Sequence, residues 1–170
     1  FPINMFAFHV GSCALISNEE QDAWIQVVLE AKRRGAIISI DPNCRAFLIR
    51  DPEGYRRGIA RFLEVADVIK LSSSDLEFLC PTYPKRRLSA FLDLYAPSLC
   101  VYTEGKAGLT ALTRNQLRVH VSASSPGPIV DTIGAGDCVN GALLAELNRF
   151  GYIAETLHAI ESADLEKILT

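Results

Sequence analysis

Short apolar segments alternate with amphipathic segments along the first two thirds of the chain. Four apolar runs have the length and composition of buried strands, at residues 6–10, 36–40, 68–71 and 99–103. Between them, apolar residues recur every three or four positions, which predicts helices at about 17–34, 53–64, 72–79 and 89–95. The first helix has a capping-box pattern at Ser17 and Glu20 and is closed by Gly35. Its predicted buried face comprises Ala23, Trp24, Val27, Val28 and Ala31.

The last third of the chain contains a hairpin pattern followed by a long helix. Apolar segments 109–112 and 117–121 flank a polar turn at 114–116, which predicts two antiparallel strands. A helix then runs to about Arg149, with a predicted apolar face of Val139, Ala142, Leu143 and Leu147. Strands separated by helices predict an α/β fold with a parallel sheet covered on both faces, and ligands then bind beyond the carboxyl ends of the strands.

Composition excludes several classes of protein. With 170 residues, of which 49% are hydrophobic and 22% charged, the chain is most simply one domain, residues 1–170. Seventeen basic and twenty acidic residues form no basic stripe, and no apolar run reaches the length of a membrane span, so we expect neither nucleic-acid nor membrane binding. Five cysteines without a paired spacing favour a reducing, cytoplasmic location. Because the chain opens on Phe1 before an apolar segment, we expect it to begin partway into a fold.

The segment 131–137, Asp-Thr-Ile-Gly-Ala-Gly-Asp, is the strongest chemical motif. Gly134 and Gly136 allow the backbone to approach a ligand closely, and the amides at the start of the following helix favour an anion. Asp137 lies in the first helical turn, where a carboxylate can accept a hydroxyl proton as the oxygen attacks phosphorus. The structural alternative is a tight strand-to-helix turn in which Asp137 only stabilises the helix dipole.

This segment resembles the signature of the ribokinase-like (PfkB-type) carbohydrate kinases and matches it at every fixed position. The resemblance implies a Rossmann-like, three-layer α/β/α ribokinase-like fold and phosphoryl transfer from MgATP to a sugar hydroxyl. It implies that Asp137 is the base and that Gly134, Ala135 and Gly136 stabilise the transferring phosphoryl group. Asp131 and the Ile133 carbonyl resemble positions that bind a monovalent cation, so K⁺ joins ATP and Mg²⁺ among the expected cofactors.

Two further loops leave predicted strands. The segment 103–108 contains Thr103, Gly105 and Gly108 and resembles the nucleotide-binding turn of these kinases, which implies an ATP contact; alone it would indicate only a glycine turn. The segment 41–45, Asp-Pro-Asn-Cys-Arg, resembles a loop of the fructokinase-like branch that faces the active site. The resemblance implies substrate contacts from Asp41, Asn43 and Arg45, and the structural alternative is an Asx-turn with a solvated arginine.

A fourth loop departs from the family pattern. Where these kinases usually carry Asn-x-x-Glu near metal and phosphates, this chain has Ser72 and Asp75, with Glu77 as a second acidic candidate. The resemblance implies that Ser72 contacts the nucleotide and Asp75 the metal through bound water. The structural alternative is helix capping by Ser72 or Ser73. His9, in an apolar strand, is expected to be a satisfied core residue, whereas His120 and His158 have no partner pattern.

Taken together, the motifs resemble the C-terminal half of such a kinase, without the half that grips the sugar and with a short far end. The expected function is phosphorylation of a fructose-like ketohexose, and the expected assembly includes a homodimer. The alternatives are a ketodeoxy sugar-acid or nucleoside kinase of the same family, or an inactive nucleotide-binding fragment. A nicotinamide-binding domain is disfavoured because the first strand is not followed by Gly-x-Gly-x-x-Gly.

Overall fold

One six-stranded sheet forms the centre of the molecule. The computed structural model describes residues 2, 4–82, 87–124 and 131–170, apart from the side chains of Cys13 and Asn18. The strands lie side by side in chain order: β1 (Ala7–Gly11), β2 (Ile37–Asp41), β3 (Val68–Ser72), β4 (Leu99–Thr103), β5 (Leu109–Thr113) and β6 (Arg118–Val121). The first four are parallel, whereas β5 and β6 form the predicted antiparallel hairpin.

Among the described residues, six α-helices accompany the sheet: α1 (Asn18–Arg33), α2 (Pro52–Leu63), α3 (Ser73–Leu79), α4 (Arg87–Tyr95), α5 (Ala135–Arg149) and α6 (Ser162–Leu169). Each predicted strand and helix is confirmed to within a few residues, including the cap of α1, where Ser17 Oγ accepts the Glu20 amide at 3.1 Å. No helix in the described part of the chain is both long and apolar enough to cross a bilayer.

The two faces of the sheet pack into separate cores because side chains alternate along each strand. Ile38 and Ile40 of β2 face a core that includes Val28 of α1 and Phe62 of α2. Ile37 faces the other core, whose members include residues of the neighbouring strands, α5 and α6: Val68, Leu99, Val101, Leu143, Leu147 and Leu165. The helices therefore form two layers around one sheet, as predicted.

The predicted buried face of α1 is confirmed in part. Val28 and Ala31 are buried and Val27 is half-buried, as predicted, whereas Ala23 and Trp24 are exposed and Gln21 and Ile25 are buried in their place. Gln21 is accommodated because its amide donates to the Leu15 carbonyl at 2.7 Å, which satisfies the buried polar group. A Cβ on Gly58 of α2 would lie 1.6 Å from Gln21 Oε1, so the glycine provides the space. The hydrophobic pattern places a polar residue such as Gln21 on the exposed face, so the predicted buried face is displaced.

The predicted face of α5 needs a similar correction. Leu143 and Leu147 are buried and Val139 is half-buried, but Ala142 is exposed and Asn140 is buried in its place. Asn140, Leu143 and Leu147 are three and four residues apart, which puts them on one face of the helix. The first residue of that face is therefore polar, and it contacts the sheet where the candidate site begins.

Candidate active site

A cavity of about 310 Å³ opens at the carboxyl ends of β1 and β2. Its lining includes Asp41 and Asn43 from the end of β2 and the loop after it, and Asp137 from the first turn of α5. His9 of β1 and Trp24 of α1 also line it. Asp41 and Asp137 are 96 positions apart in sequence, and the parallel sheet brings them to one edge, where ligands bind in folds of this type.

The glycine turn presents the amino end of α5 to this cavity. Gly134 adopts a left-handed backbone, with φ of 79°, at the position preceding the helix, and no side chain in the described residues caps it. The Cys138 amide closes the first helical hydrogen bond to the Gly134 carbonyl at 2.9 Å. The Ala135 amide donates to the Thr132 carbonyl at 3.1 Å, and the next amides, of Gly136 and Asp137, precede the first helical hydrogen bond, which is the arrangement that favours an anion. Asp137 is exposed beside them, so its carboxylate can reach a bound hydroxyl group.

A buried ion pair lies directly below this turn. Lys70 Nζ of β3 is 2.6 Å from Asp41 Oδ2, and the two side chains are only 6% and 3% exposed. Asn140 Nδ2 of α5 donates to the same oxygen at 3.1 Å. Burial raises the pKa of Asp41, and the neighbouring Lys70 ammonium opposes that shift. Asp41 therefore links two strands and α5 while it borders the cavity.

The loop after β2 is fixed from two sides. The Cys44 amide donates to Asp75 Oδ1 at 2.6 Å, and the Tyr55 hydroxyl donates to the Pro42 carbonyl at 3.5 Å. Between these anchors Asn43 adopts a positive φ of 41°. Burial raises the pKa of the Cys44 thiol to about 12, so the thiol stays protonated near neutral pH. The loop thus holds Asn43 at the cavity in a fixed conformation.

Asp75 and Ser72 form a capping box at the start of α3. Ser72 Oγ accepts the Asp75 amide at 3.1 Å, and Asp75 Oδ2 accepts the Ser72 amide at 2.9 Å. With Cys44 on the other oxygen, both carboxylate oxygens of the buried Asp75 already have protein donors. Glu77 is exposed and pairs with Arg87 at 3.2 Å. In the described parts of the chain, no three or more His, Cys, Asp or Glu residues cluster in a way that could hold a metal ion.

The turn after β4 has two glycines with different surroundings. A Cβ on Gly108, at φ of 99°, would lie 2.0 Å from the Val121 carbonyl oxygen, so this glycine allows the end of β6 to approach closely. Gly105 has φ of 57°, and an added Cβ would meet no atom within 4 Å. Thr103 Oγ1 donates to the Leu71 carbonyl at 3.3 Å, which ties β4 to β3.

The remaining predicted positions are exposed. Asp131 Oδ1 accepts the Ile133 amide at 2.9 Å, which makes an Asx-turn before the glycines, and Ile133 is 91% exposed. Arg45 is exposed at the end of the loop after β2 and is not among the residues that line the cavity. The structure therefore brings together Asp41, Asn43 and Asp137, whereas Arg45 and Asp131 are outside the cavity.

A family model described as pfkB family carbohydrate kinase matches residues 6–168. The chain belongs to this family. The fructokinase of Klebsiella pneumoniae is 37% identical over 153 residues, which are 89% of this chain and 49% of that protein. The Vibrio cholerae O395 fructokinase, solved with fructose, ADP and a calcium ion, superposes with a TM-score of 0.81 at 29% identity. The match covers 99% of this chain and 53% of the Vibrio chain.

A third relative is a putative ribokinase II from E. coli, solved with ATP and Mg²⁺. It superposes with a TM-score of 0.72 at 31% identity, over 89% of this chain and 48% of the E. coli chain. The present chain thus spans about half the length of each of these three relatives. These similarities confirm the ribokinase-like fold predicted from the motifs.

Three residues of this PfkB-family site were not predicted from sequence. Lys70 interrupts an apolar strand, and a charge at a strand centre is a signal that it has a buried partner. Asn140 follows Asp137 by three residues and so shares its helix face, but an amide alone does not indicate a contact. His9 is exposed and lines the cavity, so its expected placement in the core is wrong, although its Nδ1 has a partner, Ser39 Oγ, at 3.0 Å.

Proposed function

We propose that the protein containing this chain is an ATP-dependent sugar kinase that transfers the γ-phosphoryl group of MgATP to a hydroxyl of a fructose-like ketohexose. The observation that supports it most is that Asp137, at the amino end of α5, lines the same cavity as Asp41 and Asn43. A proton acceptor, an anion-favouring helix end and polar substrate contacts are the parts that phosphoryl transfer requires. Residues 1–170 form its nucleotide-binding and catalytic domain in this proposal.

The reaction assigns one role to each part of the cavity. The sugar hydroxyl oxygen attacks the γ-phosphorus, the bond to the ADP oxygen breaks, and the hydroxyl proton passes to the Asp137 carboxylate. The Gly134-Ala135-Gly136 turn and the amino end of α5 that follows it stabilise negative charge on the transferring group. Asn43 and Asp41 orient the sugar, and Arg45 provides a charged donor for a phosphate or sugar oxygen from the edge of the site.

The nucleotide is proposed to bind along the carboxyl ends of β3 and β4, with contacts from Ser72, Thr103, Gly105 and Gly108. Mg²⁺ bound to the phosphates would neutralise part of their charge. Because the oxygens of Asp75 already accept backbone amides, its proposed role in holding the metal acts through a metal-bound water. Asp131 and the Ile133 carbonyl are the proposed contacts for a K⁺ ion. A cytoplasmic homodimer stays a prediction.

The fructose-like acceptor is supported by the fructokinases among the relatives. The Klebsiella protein carries that name, and the Vibrio protein was solved with fructose. A ketodeoxy sugar acid is the alternative acceptor, because the Arg45 guanidinium can pair with a carboxylate as well as with a phosphate.

The test is ADP release by the full-length protein with MgATP and a panel of fructose, glucose, ribose, a ketodeoxy sugar acid and a nucleoside. We expect kcat/KM to be highest with fructose, and ³¹P NMR should detect a sugar phosphate. Preference for the acid or the nucleoside would overturn the ketohexose assignment. Absence of acceptor-dependent ADP release with every member of the panel would overturn the kinase assignment.

A further inference from the structure

The centre of β3 contains a charged residue in an apolar strand. Lys70 lies between Ile69 and Leu71, which are both fully buried, and is itself only 4% exposed. Its ammonium contacts the Asp41 carboxylate at 2.6 Å, and Asn140 donates to the same carboxylate oxygen at 3.1 Å. The cluster Lys70–Asp41–Asn140 therefore joins β2, β3 and α5 through a single oxygen atom.

The first turn of α5 lies directly on this cluster. A Cβ added to Gly136 would lie 2.8 Å from Lys70 Nζ and 3.9 Å from Asp41 Oδ2. Real Cβ atoms do not approach a neighbouring atom so closely, so the glycine makes room for the ammonium under the turn. Gly136 precedes Asp137, and the position of Lys70 is therefore coupled to the position of the proposed base.

Stability alone does not explain this cluster. Burying an ion pair costs several kcal/mol per ion in desolvation, and apolar side chains of similar volume often stabilise a protein as well or better. The cluster also buries two further acceptors, Asp41 Oδ1 and Asn140 Oδ1, that have no partner within the described segments. Unpartnered buried acceptors add to that cost. A costly polar cluster under a catalytic turn indicates a role in fixing that turn.

We propose that Lys70 and Asn140 are positioning residues that hold the first turn of α5 against the sheet through Asp41, and so fix Asp137 and the neighbouring amides relative to the cavity. Neither residue lines the cavity. The Lys70 ammonium fixes the position of Asp41 Oδ2. That oxygen accepts the hydrogen bond of Asn140, which lies one helical turn after Gly136. The effect on catalysis rests on the proposed kinase function, whereas the effect on α5 does not.

Loss of the hydrogen bond between Asn140 and Asp41 distinguishes a positioning role from a purely packing role. Asn140→Leu removes the hydrogen bond to Asp41, keeps the number and branching of the side-chain heavy atoms, and leaves the Lys70–Asp41 pair in place. The helix would then be held by Leu143 and Leu147 further along the same face. We expect the first turn to open more often while the rest of α5 stays docked, because one net hydrogen bond is lost locally.

Hydrogen exchange in the full-length protein tests this directly. The Cys138 amide donates to the Gly134 carbonyl and reports on the first turn. We expect it to exchange roughly 5- to 10-fold faster in Asn140→Leu. The matched control is Thr110→Val on β5, a residue as buried as Asn140, which removes the hydrogen bond between Thr110 Oγ1 and His120 Nδ1 of β6 at 3.1 Å. It should leave Cys138 exchange unchanged.

Steady-state kinetics provide the second readout. If Asn140 only positions the turn, kcat in Asn140→Leu should fall about 10-fold or more at nearly unchanged KM for both substrates, because misplacing a catalytic group affects the transition state most. Unchanged Cys138 exchange would overturn the positioning role whatever the kinetics. If the wild type phosphorylates no sugar, the proposed kinase function is wrong. Hydrogen exchange at Cys138 then still tests the positioning role of Asn140. Should Asn140→Leu not fold, Asn140→Ala is measured in the same way, and the same result at Cys138 decides.

Discussion

The Asp75 carboxylate accepts the Cys44 amide at 2.6 Å and thereby ties the start of α3 to the loop that follows β2. The same carboxylate caps α3 through the Ser72 amide at 2.9 Å. Two loops that follow neighbouring parallel strands are therefore held by one side chain. Their relative position at the edge of the cavity depends on it.

Replacing Asp75 with Asn should destabilise the protein. The amide side chain keeps one acceptor oxygen and brings an NH₂ group against a backbone N–H, so one buried donor loses its partner. We expect a loss of about 1–3 kcal/mol in the free energy of unfolding, measured by urea denaturation. Asp93→Asn, an exposed position on α4, is the control and should change stability little. A loss no larger than that of the control would show that this link does not hold the loops.

The two glycines of the turn after β4 should respond differently to alanine. Gly108→Ala places a Cβ 2.0 Å from the Val121 carbonyl oxygen at a positive φ, so backbone strain and overpacking add to about 2–5 kcal/mol of lost stability. Gly105→Ala has free space and should cost only about 1–2 kcal/mol, from its positive φ. Urea denaturation of the two variants checks the difference. Equal losses would contradict a structural role for Gly108 in the approach of β6.

His9 should make stability depend on pH. His9 is solvent-exposed, but partial burial of its ring lowers the pKa of the imidazole below the ordinary value of 6.5, although the Asp41 and Asp137 charges oppose this shift. The folded state therefore binds the proton less readily than the unfolded state. Its contribution is fully present above pH 6.5 and is lost as the pH falls through the lowered pKa.

The measurement is the free energy of unfolding between pH 7.5 and 5 for the wild type and His9→Gln. We expect the variant to lose less stability on acidification, with His158→Gln, an exposed position, behaving as the wild type. Superimposable curves for the wild type and His9→Gln would contradict the lowered pKa.

The architecture followed from local pattern because strand and helix periods differ so clearly here. The run Val68-Ile69-Lys70-Leu71 was recognisable as a strand even with a lysine in it, and the Asn115-Gln116 turn marked the hairpin. Which residues face inward was less predictable. Gln21 and Asn140 are buried because partners distant in sequence satisfy their amides, and no local pattern encodes such partners.

The glycine motif of the site could be predicted from sequence, whereas the buried contacts that hold it in place could not. The Gly134–Asp137 turn has a distinctive sequence, so its place at the amino end of α5 and beside the cavity was expected. Lys70 could have been suspected as a buried charge, but only the register of β2 against β3 brings it to Asp41. The family resemblance implies that Asp75 contacts a metal through bound water, and the sequence does not encode the long-range contact by which its carboxylate also accepts the Cys44 amide.

Arg45 distinguishes two accounts of the loop after β2. If its exposed guanidinium binds a phosphate or substrate oxygen, Arg45→Lys keeps the charge but loses the planar pair of donors. We then expect kcat/KM to fall roughly 10-fold or more. Arg50→Lys, an exposed arginine at the end of the same loop, is the control. A selective loss with a ketodeoxy acid would indicate carboxylate recognition, and unchanged kinetics with all acceptors would leave Arg45 without a substrate role.

Single-turnover phosphorylation of fructose by Asp137→Asn in the full-length protein tests the central claim most directly. The amide keeps the size of the carboxylate but cannot take the hydroxyl proton, so the rate should fall at least ~100-fold, with ATP affinity changed little. Asp93→Asn, exposed and outside the cavity lining, should retain the wild-type rate. If Asp137→Asn keeps more than about a tenth of that rate, Asp137 is not the base, because general-base catalysis contributes at least ~100-fold.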